Sequence, residues 1–184
     1  HNPAMAFFFP TPRLIVRPWR KRDRPALERM TTDVDMMRFV TRRTWPAEQI
    51  DEFLARQQRH IRNHGVCFGA VELGDRTQVV GVAGMQPLDG GAFNGDFELG
   101  WWIWKDFWGQ GLAPEAITPF IPHARNMGLK RVLAVIDPPN AASIRVAEKL
   151  GMHYDRTVSA RETVGTREDR PACMYTMDLA TCRA

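Results

Sequence analysis

The sequence has little of what marks a membrane, secreted or metal-binding protein. It holds three cysteines in 184 residues, and Cys67, Cys173 and Cys182 lack the close pairing of a zinc site or a disulfide framework. No apolar run approaches the roughly 18 residues that a membrane span needs. These absences favour a protein of the reducing cytoplasm, and they predict neither a metal site nor a membrane partner.

A strong excess of charge of either sign is also missing. Twenty-five basic and 21 acidic residues give a net charge of +4, which suits an anionic cofactor. The basic residues are too dispersed to indicate a nucleic-acid partner. Their densest cluster, Arg20–Arg24, contains Asp23 and is interpreted as the solvated start of a helix.

Length and patterning predict one domain over residues 5–184. A chain of this size with 44% hydrophobic residues can bury a single core. Residues 1–4 resemble a cloning remnant, which makes Met5 the expected native start. Residue spacing predicts helices near 23–33, 46–63, 112–127 and 141–150, and strands near 14–17, 66–73, 79–88, 97–103, 131–136, 153–160 and 172–179.

One predicted helix contains two prolines. Pro119 and Pro122 fall within 112–127, where an interior proline costs about 3 kcal/mol and removes a hydrogen bond. The sequence therefore predicts a kink or a break between about 115 and 122.

The most informative stretch is 97–113, which has the pattern of a strand, a glycine loop and a helix start. Gly109 and Gly111 leave the loop backbone without side chains, so its N–H groups suit phosphate oxygens. A P-loop is excluded because Leu112-Ala113 stands where Lys-Ser/Thr is needed. A dinucleotide fingerprint is excluded because Pro114 replaces its third glycine. Taken alone, the loop is equally well explained as a tight turn.

A second segment, thirty residues on, decides between these interpretations. It reads Asn140-Ala141-Ala142-Ser143-Ile144-Arg145-Val146-Ala147-Glu148-Lys149-Leu150-Gly151-Met152. With Glu98-Leu99-Gly100-Trp101-Trp102, Trp108–Ala116 and Thr11–Trp19, it resembles the GNAT superfamily of N-acetyltransferases. The closer resemblance is to the branch of the ribosomal-protein N-terminal acetyltransferases. Four matches in the same order cover most of the chain.

The resemblance implies an α+β, GNAT-like domain with a mixed, mostly antiparallel central sheet flanked by helices. The sheet is expected to be splayed at the acetyl-CoA site, between strands 97–103 and 131–136. Acetyl-CoA is the expected cosubstrate, with the strand backbone pairing with pantetheine and the loop holding the pyrophosphate. The implied cofactor-binding residues are Trp101, Trp102, Ile103, Gly109, Gln110, Gly111, Leu112, Ala113, Asn140, Ser143 and Arg145. For Arg145, a role at the surface remains an equal alternative.

Acetyl transfer to an amine needs a neutral amine, a stabilised oxyanion, and a proton or a hydrogen-bond donor for the departing thiolate. Resemblance places a catalytic or substrate-orienting glutamate at Glu98, which makes it the leading candidate for the base. The alternatives are a solvated, outward-facing carboxylate and a structural partner for an arginine. The tyrosine that many members use as the acid is replaced by Ala147. Ser143 is the expected substitute, or else a hydroxyl that satisfies its own helix start. Tyr154 is the second candidate for the acid.

The expected function is therefore acetyl transfer from acetyl-CoA to a primary amine by direct attack in a ternary complex. The acceptor is either a protein N-terminus or a small molecule such as an amino acid, a polyamine or a drug, and the sequence does not choose. A homodimer remains open. The alternative is a non-catalytic acyl-CoA-binding or interaction module of the same fold.

Overall fold

The computed structural model describes residues 6–180. Cys182 and the predicted boundaries of the domain at residues 5 and 184 lie outside the described residues. The fold is α+β, with a mixed, mostly antiparallel sheet. The chain divides into two compact units, one containing the chain up to Gly84 with Trp101–Ala116, the other Met85–Gly100 with the chain from Ile117 onward.

Eight strands make up the sheet, in the order β1-β2-β3-β4-β5-β6-β8-β7. They are β1 Phe9–Pro10, β2 Leu14–Arg17, β3 Phe68–Leu73, β4 Gln78–Pro87, β5 Phe97–Ile103, β6 Arg131–Ile136, β7 His153–Ser159 and β8 Pro171–Asp178. The predicted strands are confirmed to within about two residues at each end. The two-residue β1 was not predicted, because so short a segment carries no periodic signal.

Seven helices accompany the strands in the described chain. They are α1 Arg24–Thr31, α2 Val34–Met37, α3 Ala47–His64, α4 Leu112–Ile117, α5 Phe120–Asn126, α6 Ala141–Lys149 and α7 Ala160–Thr163. Gly65 ends α3 in the left-handed conformation (φ 71°), and its N–H donates to the Ile61 carbonyl. None of these helices is long and apolar enough to cross a membrane.

The predicted interruption by proline lies between α4 and α5. Residues 118–119 form a turn, and Pro119 is the N-cap of α5. Pro122 is the third residue of α5, inside the first turn, where backbone N–H groups have no intrahelical partner. The prolines therefore divide the predicted helix into two without occupying the interior of either.

The first unit pairs β2 with β3 in antiparallel register, from Leu14 opposite Leu73 to Arg17 opposite Ala70. Its buried core includes Leu27, Met37, Trp45, Ile50, Phe53 and Val82. Arg17 is also buried (2% exposed) and donates to Asp23 (2.8 and 3.0 Å) and to Glu72. Burying a charge costs little when it is paired and hydrogen-bonded in this way.

The second unit places β8 between β6 and β7, antiparallel to both. Strand β5 runs parallel to β6, and the recorded register pair between them is Glu98 with Leu133. The predicted opening of the sheet between these strands stays a prediction. Leu88, Phe93, Leu133 and Met174 form a buried cluster here.

Candidate active site

The glycine loop has the backbone that bare glycines make possible. Gly109 and Gly111 have φ values of 75° and 73°, a left-handed conformation that side chains with a Cβ rarely adopt. Gly109, Gln110 and Gly111 are exposed, and α4 begins at the next residue, Leu112. The N–H groups of Leu112 and Ala113 lie in the first turn, where no intrahelical carbonyl is available. The backbone that the sequence predicts for pyrophosphate binding is therefore exposed, and its role stays a prediction.

Two residues distant in sequence, Thr11 and Arg13, contact the loop and the start of α4 in the first unit. Arg13 Nη1 donates to the Gln110 carbonyl at 2.9 Å, and Arg13 Nε donates to Glu115 Oε1 at 2.9 Å. Glu115 Oε2 accepts from the Thr11 hydroxyl at 2.8 Å. The sequence alone assigned Thr11 and Arg13 no role at the loop, although both belong to the matched N-terminal segment.

Glu115 is held ionised by these donors. Burial alone would raise the pKa of its carboxyl group, but the hydrogen bonds from Thr11 and Arg13 outweigh burial and lower that pKa. The carboxylate thus persists as a fixed acceptor beside the loop.

A tryptophan connects the loop to the end of β5. Trp108 Nε1 donates to the Ile103 carbonyl at 2.7 Å, although the side chain is 55% exposed. Trp102 packs edge-on against Trp45 with ring centroids 6.0 Å apart, and Trp101 is buried. Because both side chains are packed, the contribution of Trp101 and Trp102 to a cofactor would come from their backbone.

The backbone at Trp102 lies against β4. A Cβ added to Gly81 would lie 2.6 Å from the Trp102 carbonyl oxygen, closer than real Cβ atoms come. The Trp104 N–H donates to the Val80 carbonyl at 2.6 Å. Glycine at position 81 therefore permits the close approach that fixes this part of β5.

Glu98 lies in the second unit, buried (3% exposed) and paired with an arginine. Arg167 donates to both of its carboxylate oxygens, at 3.2 Å from Nη1 to Oε2 and by a shorter contact from Nη2 to Oε1. Arg167 Nη1 also donates to the Thr163 hydroxyl at 3.0 Å. Of the two alternatives to a catalytic base, the structure shows the arginine partner and not the solvated carboxylate.

Gln86 completes this cluster. Its Nε2 donates to Glu98 Oε1 at 2.8 Å, and its own Oε1 is buried with no hydrogen-bond partner among the described residues. The carboxylate can only accept, which dictates that the amide nitrogen faces it. A buried acceptor without a donor destabilises the fold by about 1–3 kcal/mol. A hydrogen bond from an N–H group to Gln86 Oε1 would recover part of this free energy.

Asn140 and Ser143 meet at the start of α6. Asn140 Oδ1 caps the helix by accepting from the Ser143 N–H at 3.1 Å, so Asn140 Nδ2 donates to Ser143 Oγ at 2.9 Å. Because Ser143 Oγ is the acceptor in this bond, its own hydroxyl proton is left to donate elsewhere. The half-buried Ser143 thus has the hydrogen-bond state that the predicted acid needs.

The other residues considered at the sequence level lie apart from these contacts. Ala147, in place of the tyrosine, is fully buried. The Tyr154 hydroxyl lies 2.9 Å from Thr157 Oγ1, and its side chain is 55% exposed. Arg145 is an exposed residue of α6. Among residues 6–180, no group of three or more histidine, cysteine or acidic residues could hold a metal ion.

Comparison with protein families gives a match over residues 13–153, to a model described as the acetyltransferase (GNAT) domain. A curated relative, the uncharacterized protein YkkB of Bacillus subtilis (strain 168), is 33% identical over 113 residues, or 60% of this chain. The match spans 64% of that relative's length.

Solved structures share the fold. YncA of Salmonella typhimurium, solved with its cofactor acetyl-CoA, is 20% identical with a TM-score of 0.70, over 93% of this chain and 96% of that one. RimL, a ribosomal L7/L12 α-N-protein acetyltransferase solved with coenzyme A, is 15% identical with a TM-score of 0.75. The alignment covers 94% of this chain and 98% of that one. At such identities the likeness concerns the fold alone.

Proposed function

The chain belongs to the GNAT family of acetyltransferases, which use acetyl-CoA, and we propose that it transfers the acetyl group to a primary amine. The observation that carries the choice of an amine is the buried cluster at Glu98. A carboxylate and the unpartnered Gln86 Oε1 are both hydrogen-bond acceptors. An amine has the N–H groups that such a cluster binds.

The proposed reaction is direct attack in a ternary complex. The amine loses a proton to Glu98, directly or through a water molecule, and its nitrogen attacks the thioester carbon. The tetrahedral intermediate collapses, the carbon–sulfur bond breaks, and coenzyme A leaves as a thiolate that accepts a hydrogen bond from the Ser143 hydroxyl. The proton taken up by Glu98 is then released to solvent, which can protonate the thiolate. Arg167 and Gln86 already occupy lone pairs of the Glu98 carboxylate, so the amine has to share its oxygens with them.

Two acceptor classes fit this chemistry, a protein N-terminus and a small amine. An α-amino group, with a pKa near 8, is partly neutral at pH 7, whereas an alkyl amine with a pKa near 10 depends more on a base.

We propose a cytoplasmic location for the reaction, since three widely spaced cysteines suit a reducing compartment.

A panel assay tests the proposal. Release of coenzyme A from acetyl-CoA would be measured with amino acids, polyamines, aminoglycoside-type amines and peptides with free N-termini, with N-acetylated peptides as matched controls. We expect release with at least one free amine and none with its acetylated counterpart.

The second candidate is the non-catalytic module, which the loss of tyrosine at Ala147 favours. Calorimetric titration with acetyl-CoA separates the two functions. Binding without release for every acceptor would favour the module and overturn the proposed transfer.

A further inference from the structure

We infer that Arg13 is a positioning residue for the pyrophosphate of coenzyme A, acting through the peptide bond between Gln110 and Gly111. The inference rests on the use of acetyl-CoA in the proposed function. It adds a residue that the glycine motif does not contain and that lies 97 positions before Gln110.

The first step concerns the orientation of one peptide group. Arg13 Nη1 donates to the Gln110 carbonyl at 2.9 Å. The described chain has no cis peptide bond, and in a trans peptide the carbonyl and the following N–H point in opposite directions. With the Gln110 carbonyl turned towards Arg13, the Gly111 N–H is turned away from it, towards the open side of the loop.

The second step is that this peptide would otherwise be free to rotate. It lies between Gly109 and Gly111, both of which are exposed and lack a Cβ. Glycine explores positive and negative φ about equally, so a two-glycine loop pays more conformational entropy on ordering than other sequences. A hydrogen bond that selects one orientation before the cofactor arrives removes part of that cost from binding.

The third step is that Arg13 is itself held in place. Glu115 accepts from Arg13 Nε at 2.9 Å and from the Arg13 backbone N–H at 3.2 Å. The guanidinium also flanks the glycine, because a Cβ placed on Gly111 would lie 3.8 Å from Arg13 Nη2. One planar fork thus binds the carboxylate and the loop carbonyl together, which an ammonium group cannot reproduce.

The positive charge of Arg13 contributes less to pyrophosphate binding than the geometry of its hydrogen bonds. Arg13 is paired with an ionised Glu115, so the pair adds little net positive potential at the loop. A lysine at position 13 would keep the charge and lose the fork. The geometry therefore predicts that Arg13→Lys fails to restore what Arg13→Gln loses.

The experiment is a binding measurement, which needs no known acceptor. Titration calorimetry would compare coenzyme A with pantetheine, which has the same thiol arm and no pyrophosphate, in wild type, Arg13→Gln and Arg13→Lys. We expect coenzyme A to bind at least ten-fold more weakly to both variants, and pantetheine to bind within about two-fold of wild type.

Arg59→Gln is the matched control. Arg59 donates to Glu52 at 2.9 Å, and its side chain is 48% exposed, against 47% for Arg13. Arg59→Gln therefore removes a similar surface ion pair, on α3. We expect its coenzyme A affinity to be unchanged.

Three results would overturn the inference. They are coenzyme A affinity within about three-fold of wild type in Arg13→Gln, full affinity in Arg13→Lys, or an equal loss for pantetheine, which would indicate a general structural defect. A wild-type chain that does not bind coenzyme A would instead overturn the proposed function.

Discussion

Gly111 carries a strict backbone requirement, because its φ of 73° lies where a β-branched residue is strained. We expect Gly111→Val to weaken acetyl-CoA binding at least ten-fold, about 1.4 kcal/mol. The added side chain would crowd the phosphate approach as well as disturb the loop. Titration calorimetry with acetyl-CoA measures the change.

Gly65→Val controls for backbone strain alone. Gly65 has nearly the same φ, 71°, and no atom within 4 Å of an added Cβ, but it ends α3 and is not part of the loop. We expect a loss of stability in both variants and a loss of affinity in Gly111→Val. Unchanged affinity in a folded Gly111→Val protein would show that the loop does not bind the pyrophosphate.

Glu98 and Ser143 are expected to give different kinetic signatures. If Glu98 takes the amine proton, Glu98→Gln lowers turnover by about 10²-fold at neutral pH, and raising the pH restores part of the rate because more amine is neutral. Ser143→Ala lowers turnover without that recovery, since its task is at the thiolate, and leaves acetyl-CoA affinity nearly unchanged. Initial rates from pH 6 to 10 distinguish the two.

The cluster around Glu98 makes this test informative. Glu98→Gln also removes the charge partner of Arg167, so circular dichroism and a urea midpoint are needed to establish that the variant is folded. Near-normal rates in both variants across the pH range would rule out both roles. Catalysis would then depend on positioning and backbone donors.

At the scale of elements, the position of Pro122 changes the expected sign of a stability effect. An interior proline would cost about 3 kcal/mol, and its removal would stabilise the fold. Pro122 instead lies in the first turn of α5, where it costs little and restricts the unfolded chain. We expect Pro122→Ala to lower the free energy of unfolding by about 0.4–1 kcal/mol. Urea titration measures it, and a gain of several kcal/mol would contradict this account.

Local signals made most elements predictable. The predicted helix at 46–63 matches α3, which Gly65 ends, and Asn140 caps α6, as asparagine often does at a helix start. The glycine-rich stretch after Leu88 was harder to predict. It contains a one-turn helix at Gly91–Phe93, with Phe93 buried against Leu133 and Met174. Burial of a single aromatic side chain by distant residues leaves no periodic pattern.

In the candidate site, too, contacts between residues distant in sequence could not be predicted. The glycine loop, Asn140 and Glu98 were recognisable from residue type and spacing, and the family that they indicate is confirmed. The partners that orient them were not, since Arg13 lies 102 positions from Glu115 and Glu98 lies 69 from Arg167. The local sequence around an arginine is the same whether its side chain is solvated or paired. Its partner is therefore known only from the folded structure.

For the molecule as a whole, paired carboxylates predict a loss of stability in acid. Burial raises the pKa of Asp23, but the bonds from Arg17 and from the Arg20 backbone lower it overall. The Asp33 carboxyl also has a lowered pKa, chiefly through Lys105. Such groups stabilise the folded state above their unfolded pKa values, near 4, and this contribution is lost as the pH falls through the folded values.

We therefore expect the free energy of unfolding to decline steadily below about pH 5. Urea titrations at pH 7, 5, 4 and 3 measure it. Asp23→Asn removes one charged partner of Arg17 but leaves Glu72 paired with it, so we expect a loss of about 1–3 kcal/mol at pH 7, with a shallower decline in acid. An acid slope equal to that of wild type would show that Asp23 does not contribute to it.

Trp108 gives the chain its own optical reporter. Of the six tryptophans, it is the one with a largely exposed ring, while its bond to the Ile103 carbonyl keeps that ring in a fixed place beside Gly109. An exposed indole emits at longer wavelength than buried ones, so the red edge of the intrinsic fluorescence belongs mainly to Trp108. A cofactor settling on the loop would shield it, and the emission would shift to the blue. We therefore expect cofactor binding to be measurable by fluorescence in the unlabelled protein, without an acceptor.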